Sequence, residues 1–431
     1  MKNVLKTLLF ISLLFLGLNV TAQKNNRSLD NYREPDKRGI NVFEAPKDTV
    51  STFENVKVRI GGSSTLQFQA LDHENSFTTG SNLNGVPLKD IGYNFNLATA
   101  NLDLDVALYD GVRMHLRTYL SSRHHPEPYV KGGYIQIDKL DFIQEGFMKD
   151  FMKYATLKIG HMENNYGDAH FRRSDNSQTI YNPFVGNLIM DAFTTEVGAE
   201  LYYQKNGFIG MIGFTNGKLN QDVANPDTGG ASLLAKIGYD KQFNEDLRFR
   251  LTGSVYNTGQ VRRSYLYSAD RTGSRYYLVL EDEEATPKSD FRSGRYNPNF
   301  GNKVTAFMFN PFIKYQGLEF FGTLEFANGR TNAEANRRNA TQIAAEFIYR
   351  FGQSENFYVA ARFNNVSAED DDAADDKINI SRRQFGAGYF LTKNILLKME
   401  YVRQKHSDYA PGVILEDGKF NGLMAEAVIS F

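Results

Sequence analysis

One face of the stretch VRMHLRTYL, residues 112–120, carries side chains that could bind and steer anions. Arg113, His115 and Arg117 occupy alternate positions and Tyr119 follows them, while apolar residues and one threonine fill the positions between. A period of two predicts a β-strand, because successive side chains of a strand point to opposite faces. Guanidinium and imidazole groups on one face would set the field across a water-filled passage.

Carboxylates precede this stretch on the other side of a tight turn. The turn Tyr109-Asp110-Gly111 has the chemistry of a hairpin, since Asp and Gly tolerate positive φ. The resulting register pairs Leu108 with Val112, Asp103 with Arg117 and Asp105 with His115. Two interpretations stay open for the charged pairs: they form a charged wall that shapes the field, or they neutralise each other across the strands.

Alternating segments recur along the chain and predict about sixteen strands of roughly 8–14 residues. A tilted strand needs about 9–11 residues to cross the hydrocarbon layer of a bilayer, whereas strands of soluble proteins more often have about 5–6. The predicted strands are Val56–Gln69, Phe95–Leu108, Val112–Ser121, Tyr134–Phe142, Ala155–Met162, Thr194–Gln204, Phe208–Thr215, Ser232–Asp240, Leu247–Tyr256, Val304–Tyr315, Leu318–Ala327, Thr341–Arg350, Phe357–Val366, Ile378–Phe390, Ile395–Lys405 and Phe420–Phe431. Their length favours a membrane barrel.

Short and long connections alternate between these strands. The tight connections are Tyr109-Asp110-Gly111, Lys205-Asn206-Gly207, Gln316-Gly317 and Leu391-Thr392-Lys393-Asn394. The intervening connections are mostly long and polar, and the stretch 143–154 is the one that is longer than the pattern requires. Outer-membrane barrels sort their loops in this way, with the short turns in the periplasm. The sequence therefore predicts an all-β fold, a transmembrane antiparallel β-barrel of about 16 strands with short periplasmic turns and long extracellular loops.

The first 22 residues have the features of a secretory signal peptide. Lys2 and Lys6 flank an apolar run at 8–18, and Val20 and Ala22 supply the small residues that precede a cleavage site. The predicted domains are a signal peptide (1–22), a polar periplasmic or luminal segment (23–55) and a transmembrane β-barrel (56–431).

Composition excludes several classes of protein. After residue 22 no apolar run approaches the 18 residues of a membrane-spanning helix, and the absence of cysteine excludes disulfides and a lipid-modified cysteine. The 49 basic and 50 acidic residues give no basis for binding nucleic acid. The segment 23–55 is too short for the globular plug of an energised receptor, which leaves a passive pore.

The polar face of each strand must point into the lumen if the tight turns lie in the periplasm. An arginine against lipid at the midplane would cost about 2–4 kcal/mol, so the two faces cannot be exchanged. The predicted pore-lining residues are Asp103, Asp105, Arg113, His115, Arg117, Tyr119, Arg248, Arg250, Arg362 and Lys398. An outward aromatic girdle is predicted at Tyr203, Tyr239, Tyr315 and Tyr349. The inward residues include about thirteen basic and about ten acidic groups, which predicts a weak preference for anions.

The connection at residues 163–193 is long, and it is richer in apolar residues than a surface loop should be. This composition argues against disorder. We predict that it enters the barrel as a constriction loop, with Asp168, Arg172, Arg173 and Asp175 near the narrowest point. The alternative is that the loop caps the extracellular mouth or packs on a neighbouring subunit.

Three stretches resemble porins from the Bacteroidetes: Thr21-Ala22-Gln23, the run NNYGDAHFRRSDN at 164–176, and the closing Phe431. They are more distantly similar to the phosphate-selective porin O and P family, although no phosphate-binding residue can be matched one by one. The resemblance covers residues 56–431 and implies a passive, trimeric channel. The last strand, which ends in Phe431, resembles the signal that the outer-membrane assembly machinery reads.

Two rival functions stay open beside a porin. The first is a non-conducting barrel that acts as an adhesin or a structural protein. The second is an outer-membrane enzyme; outer-membrane phospholipases use a His and a Ser two residues apart, and no histidine here precedes a serine at that distance. Neither Arg123-His124-His125 with His161 nor the acidic run 370–376 has the spacing of metal ligands. We predict no enzymatic activity, no metal and no cofactor, and as partners small anions or hydrophilic solutes, lipopolysaccharide and outer-membrane lipids.

Overall fold

A computed structural model describes residues 27–121, 128–175, 177–218, 230–268 and 275–431. The described residues form sixteen β-strands and only short turns of helix. The strands are β1 (Lys57–Glu74), β2 (Asn94–Tyr109), β3 (Val112–Leu120), β4 (Tyr129–Ile137), β5 (Ala155–Glu163), β6 (Thr195–Lys205), β7 (Phe208–Thr215), β8 (Ser232–Gln242), β9 (Leu247–Thr258), β10 (Lys303–Tyr315), β11 (Leu318–Arg330), β12 (Arg338–Phe351), β13 (Phe357–Glu369), β14 (Lys377–Thr392), β15 (Ile395–Ser407) and β16 (Lys419–Ser430). The predicted signal peptide and Arg123-His124-His125 lie outside the described residues.

The strands close into a barrel in the order of the chain. Each strand pairs antiparallel with its sequence neighbours, and β1 pairs with β16 along a continuous register. Closure leaves no strand edge with unpaired backbone groups, as a barrel in lipid requires. The predicted all-β antiparallel barrel of about sixteen strands is confirmed. None of the helical turns in the described part of the chain is long and apolar enough to cross a membrane.

The two faces of the strands differ as the alternation predicts. On β13, Val359 and Phe363 are 40% and 44% exposed on the outer surface, whereas Arg362 and Asn364 are buried inside at 4% and 0%. The predicted girdle residues Tyr203, Tyr315 and Tyr349 are exposed near the turn ends, and Tyr239 is partly buried. The outer surface is therefore apolar and the interior polar, the reverse of a soluble domain.

The fourth strand departs most from its predicted position. The sequence predicts Tyr134–Phe142, but β4 spans Tyr129–Ile137. Gly132-Gly133 supplies no side chains to the alternating pattern, so the first half of the strand cannot be detected by periodicity. The residues after it, 138–154, form the long turn that broke the pattern of the connections, and this turn contains one turn of helix, α1 (Lys149–Met152).

Several strands extend beyond their predicted ends on the side of the long loops. β1 continues to Glu74 instead of Gln69, and β11 continues to Arg330 instead of Ala327. Backbone pairing persists above the apolar band, where the outward residues become polar and the alternation of the sequence disappears. The alternation of the sequence therefore predicts only the part of each strand that lies within the apolar band of the outer surface.

Much of the interior of the barrel is filled by connecting segments. Residues 27–55 contact luminal side chains from the side of the tight turns, and residues 164–175 and 177–194 are almost entirely buried. In the long loop, Tyr166, Ile189 and Met190 form a buried apolar cluster with inward residues of β7 to β14. A barrel of this size would otherwise leave a wide aqueous channel.

Candidate functional site

The charged wall of β2 and β3 forms the two pairs that the sequence predicts. Asp103 lies opposite Arg117, and Asp105 lies opposite His115. Arg117 donates from Nε and Nη2 to the two carboxylate oxygens of Asp103, at 2.7 and 2.8 Å. Asp105 Oδ1 lies 2.8 Å from His115 Nδ1 and 3.1 Å from Arg113 Nη1. The carboxylates of Asp103 and Asp105 are therefore already paired with the basic side chains beside them.

The predicted pairing next to the turn is wrong. Val112 pairs with Tyr109, not with Leu108, which forms a bulge. Gly111 has a φ of +71°, so Asp110-Gly111 closes the hairpin in two residues directly after Tyr109. The bulge takes up the extra residue, and the register of the charged pairs is unchanged.

The N-terminal segment, residues 27–55, spans the lumen between opposite walls. The Tyr32 hydroxyl donates to Asp105 Oδ2 on β2 at 2.9 Å, and the Asn41 amide donates to Glu319 Oε1 on β11 at 2.8 Å. Each bond uses a wall carboxylate that already faces a cation. The segment is therefore attached through the same charges that line the wall.

A buried four-charge cluster joins this segment to the long loop and to the wall. Arg250 of β9 donates from Nε to Asp168 Oδ2 at 2.8 Å and lies 2.8 Å from Glu44 Oε2 through Nη1. Lys236 Nζ of β8 lies 3.0 Å from Asp168 Oδ1. Burial alone would raise the pKa of the Glu44 carboxyl, but Arg250 and Lys236 outweigh it and lower this pKa to about 2. The same two cations lower the pKa of Asp168, so both carboxylates are charged at neutral pH.

The two arginines of the predicted constriction loop lie inside the barrel. Arg172 lies between Glu319 and Glu346, with N–O distances of 3.8 and 3.5 Å. Arg173 pairs instead with Asp191 of the same loop, at 2.6 Å from Nη2 to Oδ2. One arginine thus fastens the loop to β11 and β12, and the other fastens it to itself.

Two of the predicted pore-lining cations hold the backbone of this loop. Arg362 Nη1 of β13 donates to the carbonyl of Gly186 at 2.8 Å. Lys398 Nζ of β15 donates to the carbonyl of Phe184 at 2.7 Å. Both cations are buried, at 4% and 2% exposure, so the structure places them at a packed interface between the loop and the wall.

The remaining predicted residues are also paired. Asp175 forms an ion pair with Lys131, whose ammonium lies 4.4 Å from the centre of the Tyr119 ring. Arg248 donates to both oxygens of Asp240 at 2.8 and 2.7 Å. Most inward charges of the described lumen therefore serve packing and anchoring.

A cavity of about 160 Å³ remains on one side of the lumen, between β3–β6, the N-terminal segment and the loop. Its lining includes Arg113, Arg117 and Tyr134, together with Lys158 and Tyr202. A second cavity, of about 400 Å³, lies beside it towards the tight turns. Arg113 lines both cavities and marks the place where they adjoin.

Lys158 of β5, one of the inward basic residues counted from the sequence, lines the first cavity. Its ammonium lies 4.9 Å from the Tyr202 ring centre and 5.6 Å from the Tyr134 ring centre, and it has no ion pair with any described residue. The alternation of β5 places Lys158 inward, but its freedom from a counterion depends on contacts elsewhere. The faces of these two rings attract the ammonium of Lys158.

The sequence matches no protein-family model and no curated protein. Its fold is similar to that of several solved barrels. The outer membrane channel DcaP of Acinetobacter baumannii aligns with a TM-score of 0.52 and 11% identity over 88% of this chain and 98% of that one. An anion-selective porin from Comamonas acidovorans gives 0.51 and 11% over 88% and 100%, and the trimer form of OmpT, an outer membrane protein of Vibrio cholerae, gives 0.52 and 10% over 88% and 100%.

These comparisons define the fold class. The chain has the fold of a sixteen-stranded outer-membrane barrel, and its structural neighbours are outer-membrane porins and channels. The likeness to Bacteroidetes porins and to phosphate-selective porins stays a prediction from the sequence.

Proposed function

We propose that the chain is an outer-membrane porin, a passive diffusion channel for small hydrophilic solutes with a weak preference for anions. The apolar outer surface of the closed barrel supports a location in the outer membrane, reached through the signal peptide at 1–22. The observation that carries the proposal is the polar cavity beside β3–β6, where Lys158 has no paired carboxylate among the described residues.

The conducting path that we propose follows this side of the lumen. A solute would pass Arg117 and Lys158 in the first cavity and then Arg113, which lines the second cavity as well. In the first cavity Asp103 is paired with Arg117 and Glu44 with Arg250. Lys158 has no paired carboxylate among the described residues, so the uncompensated charge there is positive. The second cavity also has Asp30 and Glu54 in its lining, which makes the first cavity the selective part of the path. A positive field in a narrow, low-dielectric passage favours anions.

In this proposal a further group of the predicted site residues does not line the path but holds the segments that border it. Their ion pairs and hydrogen bonds fold the loop and hold it and the N-terminal segment against the wall, which sets the width of the path. The residues in this anchoring group are Asp168, Arg172, Arg173, Asp175, Arg248, Arg250, Arg362 and Lys398.

The test is the reversal potential in planar bilayers under a salt gradient, using the chain without residues 1–22. Wild type should show anion preference, and Lys158→Gln should reduce it. The matched control is Lys241→Gln, which removes an exposed, outward lysine at the tight-turn end of β8 while the lumen keeps its charges. Clear cation selectivity of the wild type would contradict the proposal. Chloride, phosphate and small sugars are the solutes to compare.

A second candidate function is a barrel that does not conduct and serves as an adhesin or a structural protein. The observation that favours it is the extent to which residues 27–55, 164–175 and 177–194 fill the lumen. The same bilayer recordings separate the two functions, because a non-conducting barrel inserts without producing current steps.

We further propose that the porin is a homotrimer, assembled through machinery that reads the last strand and its closing Phe431. The trimer form among the solved barrels of the same fold supports the subunit number. The apolar outward residues of β16, Leu423, Ala425, Ala427 and Ile429, support the role of that strand as a membrane-inserted end. Chemical cross-linking of the purified chain in mild detergent tests the trimer.

A further inference from the structure

Two arginines face each other on the outer surface of β14 and β15, at the end of the apolar band away from the tight turns. Arg383 and Arg403 are cross-strand partners, and both are exposed. The next outward residues towards the tight turns are Phe385 and Tyr401, which are partners too and are exposed at 59% and 41%. The arginines are therefore the first polar outward residues beyond the band.

The first polar outward residue beyond the apolar band is charged on β14 and β15, but it is uncharged on β10 to β13 and on β16. The first polar outward residues on β10 to β13 and on β16 are Thr305, Asn328, Thr341, Asn365 and Asn421. One step further out on β15 lies Lys405, opposite Ser381 and Lys419. Like charges placed directly opposite each other destabilise a sheet unless an anion lies between them.

Three of these four cations are not neutralised within the described chain. Arg383, Arg403 and Lys405 have no ion pair or side-chain hydrogen bond with any described residue. Lys419 differs, since it forms an ion pair with Glu74. The three free cations are thus concentrated where the headgroups of a bilayer leaflet would lie.

An apolar groove of about 770 Å³ runs along the same strands, on the side of the tight turns. Its lining includes the large side chains of Phe68, Phe95 and Met399 and the small side chains of Ala387 and Ala425. Met399 pairs with both alanines and lies four residues before Arg403 on β15, which is about 13 Å along a strand. The small alanine side chains beside Met399 leave room for hydrocarbon chains on the tight-turn side of the cations.

We propose that Arg383, Arg403 and Lys405 bind the phosphate groups of a phosphorylated glycolipid in the outer leaflet, whose acyl chains occupy this groove. The charges match phosphate, for which arginine is suited by its planar fork of donors. The groove matches acyl chains, which separates this ligand from a free anion. The inference rests on the proposed function for its orientation, since the tight turns must lie in the periplasm.

The test is binding of bisphosphorylated lipid A, and of the same lipid without phosphates, to the detergent-solubilised chain by native mass spectrometry. Wild type should bind the phosphorylated lipid about tenfold more tightly than its dephosphorylated form, and Arg383→Gln/Arg403→Gln should remove that difference. The matched control, Lys205→Gln/Lys241→Gln, removes two outward cations at the opposite end of the barrel and should keep it. Arg383→Lys/Arg403→Lys keeps the charges and should retain most of the preference, provided that each variant shows the heat-modifiable mobility of a folded barrel.

Three outcomes would overturn the inference. In the first, the glutamine variant binds the phosphorylated lipid as tightly as wild type. In the second, millimolar inorganic phosphate displaces the lipid, which would make the cluster a site for free anions. In the third, lipid-free wild type is oligomeric and the variant is monomeric, which would assign this face to a second copy of the chain. Bilayer conductance of the variant should equal that of wild type, so a failure of lipid binding and a failure of conduction are separate results.

Discussion

Lys158 and Glu200 are cross-strand partners on β5 and β6, yet no ion pair joins them in the described chain. Glu200 instead accepts the backbone N–H of Asn165 at 2.9 Å and the hydroxyl of Tyr202. The long loop and a neighbouring tyrosine thus occupy the carboxylate that would otherwise neutralise Lys158. Lys158 therefore stays unpaired in the cavity because both carboxylate oxygens of Glu200 accept other hydrogen bonds.

Removing the tyrosine hydroxyl should therefore weaken the anion preference. Tyr202→Phe keeps the ring beside Lys158 but frees one carboxylate oxygen of Glu200, which can then turn towards the ammonium. We expect the reversal potential in a salt gradient to move towards the unselective value. Tyr134→Phe is the matched control, because it also keeps a ring beside Lys158 and Tyr134 makes no bond to Glu200. Equal shifts in the two variants would disprove this role of Glu200.

The N-terminal segment should restrict conduction, because it spans the lumen from β2 to β11. Deleting residues 27–52 from the chain without its signal peptide should raise the single-channel conductance by more than about twofold, since a barrel of sixteen strands is wide enough for an aqueous channel. Single-channel recording gives the value, and heat-modifiable mobility shows that the barrel still folds. An unchanged conductance from a folded deletion variant would show that the segment lies outside the path.

The Glu44 carboxylate should stabilise the folded chain in a pH window that its pKa defines. Its pKa falls from 4.5 to about 2 on folding, so its contribution is complete above pH 4.5 and is lost as the pH falls towards 2. Glu44→Gln should lower the free energy of unfolding by about 1.5–3 kcal/mol at neutral pH, the range for hydrogen bonds to charged groups.

Thermal unfolding of wild type and Glu44→Gln across this range measures the effect. The difference between the two midpoints should stay constant from pH 8 to pH 5 and should shrink below pH 4.5. Asp30→Asn is a suitable control, since Asp30 lies on the same segment and bonds only to residues near the turns. A difference that grows on acidification would contradict the assignment.

The alternation of the sequence predicts the strands and their faces because both depend on local side-chain periodicity. Arg113, Arg250 and Arg362 point inward as predicted, and the Asp103–Arg117 register follows from one two-residue turn. The way in which connecting segments fill the lumen cannot be predicted from this local periodicity. The bond from the backbone N–H of Val185 to Glu400 joins residues 215 positions apart, and no local pattern specifies such a contact.

In the candidate site too, local periodicity determines which way a side chain points, and contacts with distant residues determine its partners. Periodicity places Lys158 inward, but its unpaired state depends on the contact of Glu200 with Asn165 in the loop. Periodicity also places Arg362 and Lys398 inward, but the carbonyls of Gly186 and Phe184, to which they donate hydrogen bonds, come from a distant part of the chain. The strand pattern predicts the face on which a side chain lies, whereas the folded loop determines which groups that side chain contacts.

The long turn between β4 and β5 should contact the leaflet of the membrane that lies nearest the tight turns. Ile143 and Phe147 are 61% and 41% exposed, and the Phe151 ring lies 5.9 Å from the ring of Tyr203 in the girdle. Because the chain has no tryptophan, Phe147→Trp would report on this turn alone. In liposomes its fluorescence should be quenched by brominated lipid, whereas Gln353→Trp in a tight turn should be quenched by iodide. Iodide quenching of both variants would place the long turn in water.

Cysteine modification at position 158 shows whether solutes pass Lys158 inside the barrel. The chain contains no cysteine, so Lys158→Cys carries a single thiol, and Lys241→Cys supplies a control outside the lumen. During single-channel recording in planar bilayers, an anionic methanethiosulfonate reagent should lower the anion preference of Lys158→Cys and reduce its current, while Lys241→Cys should keep both. Channels of Lys158→Cys that conduct identically before and after complete modification would contradict the account.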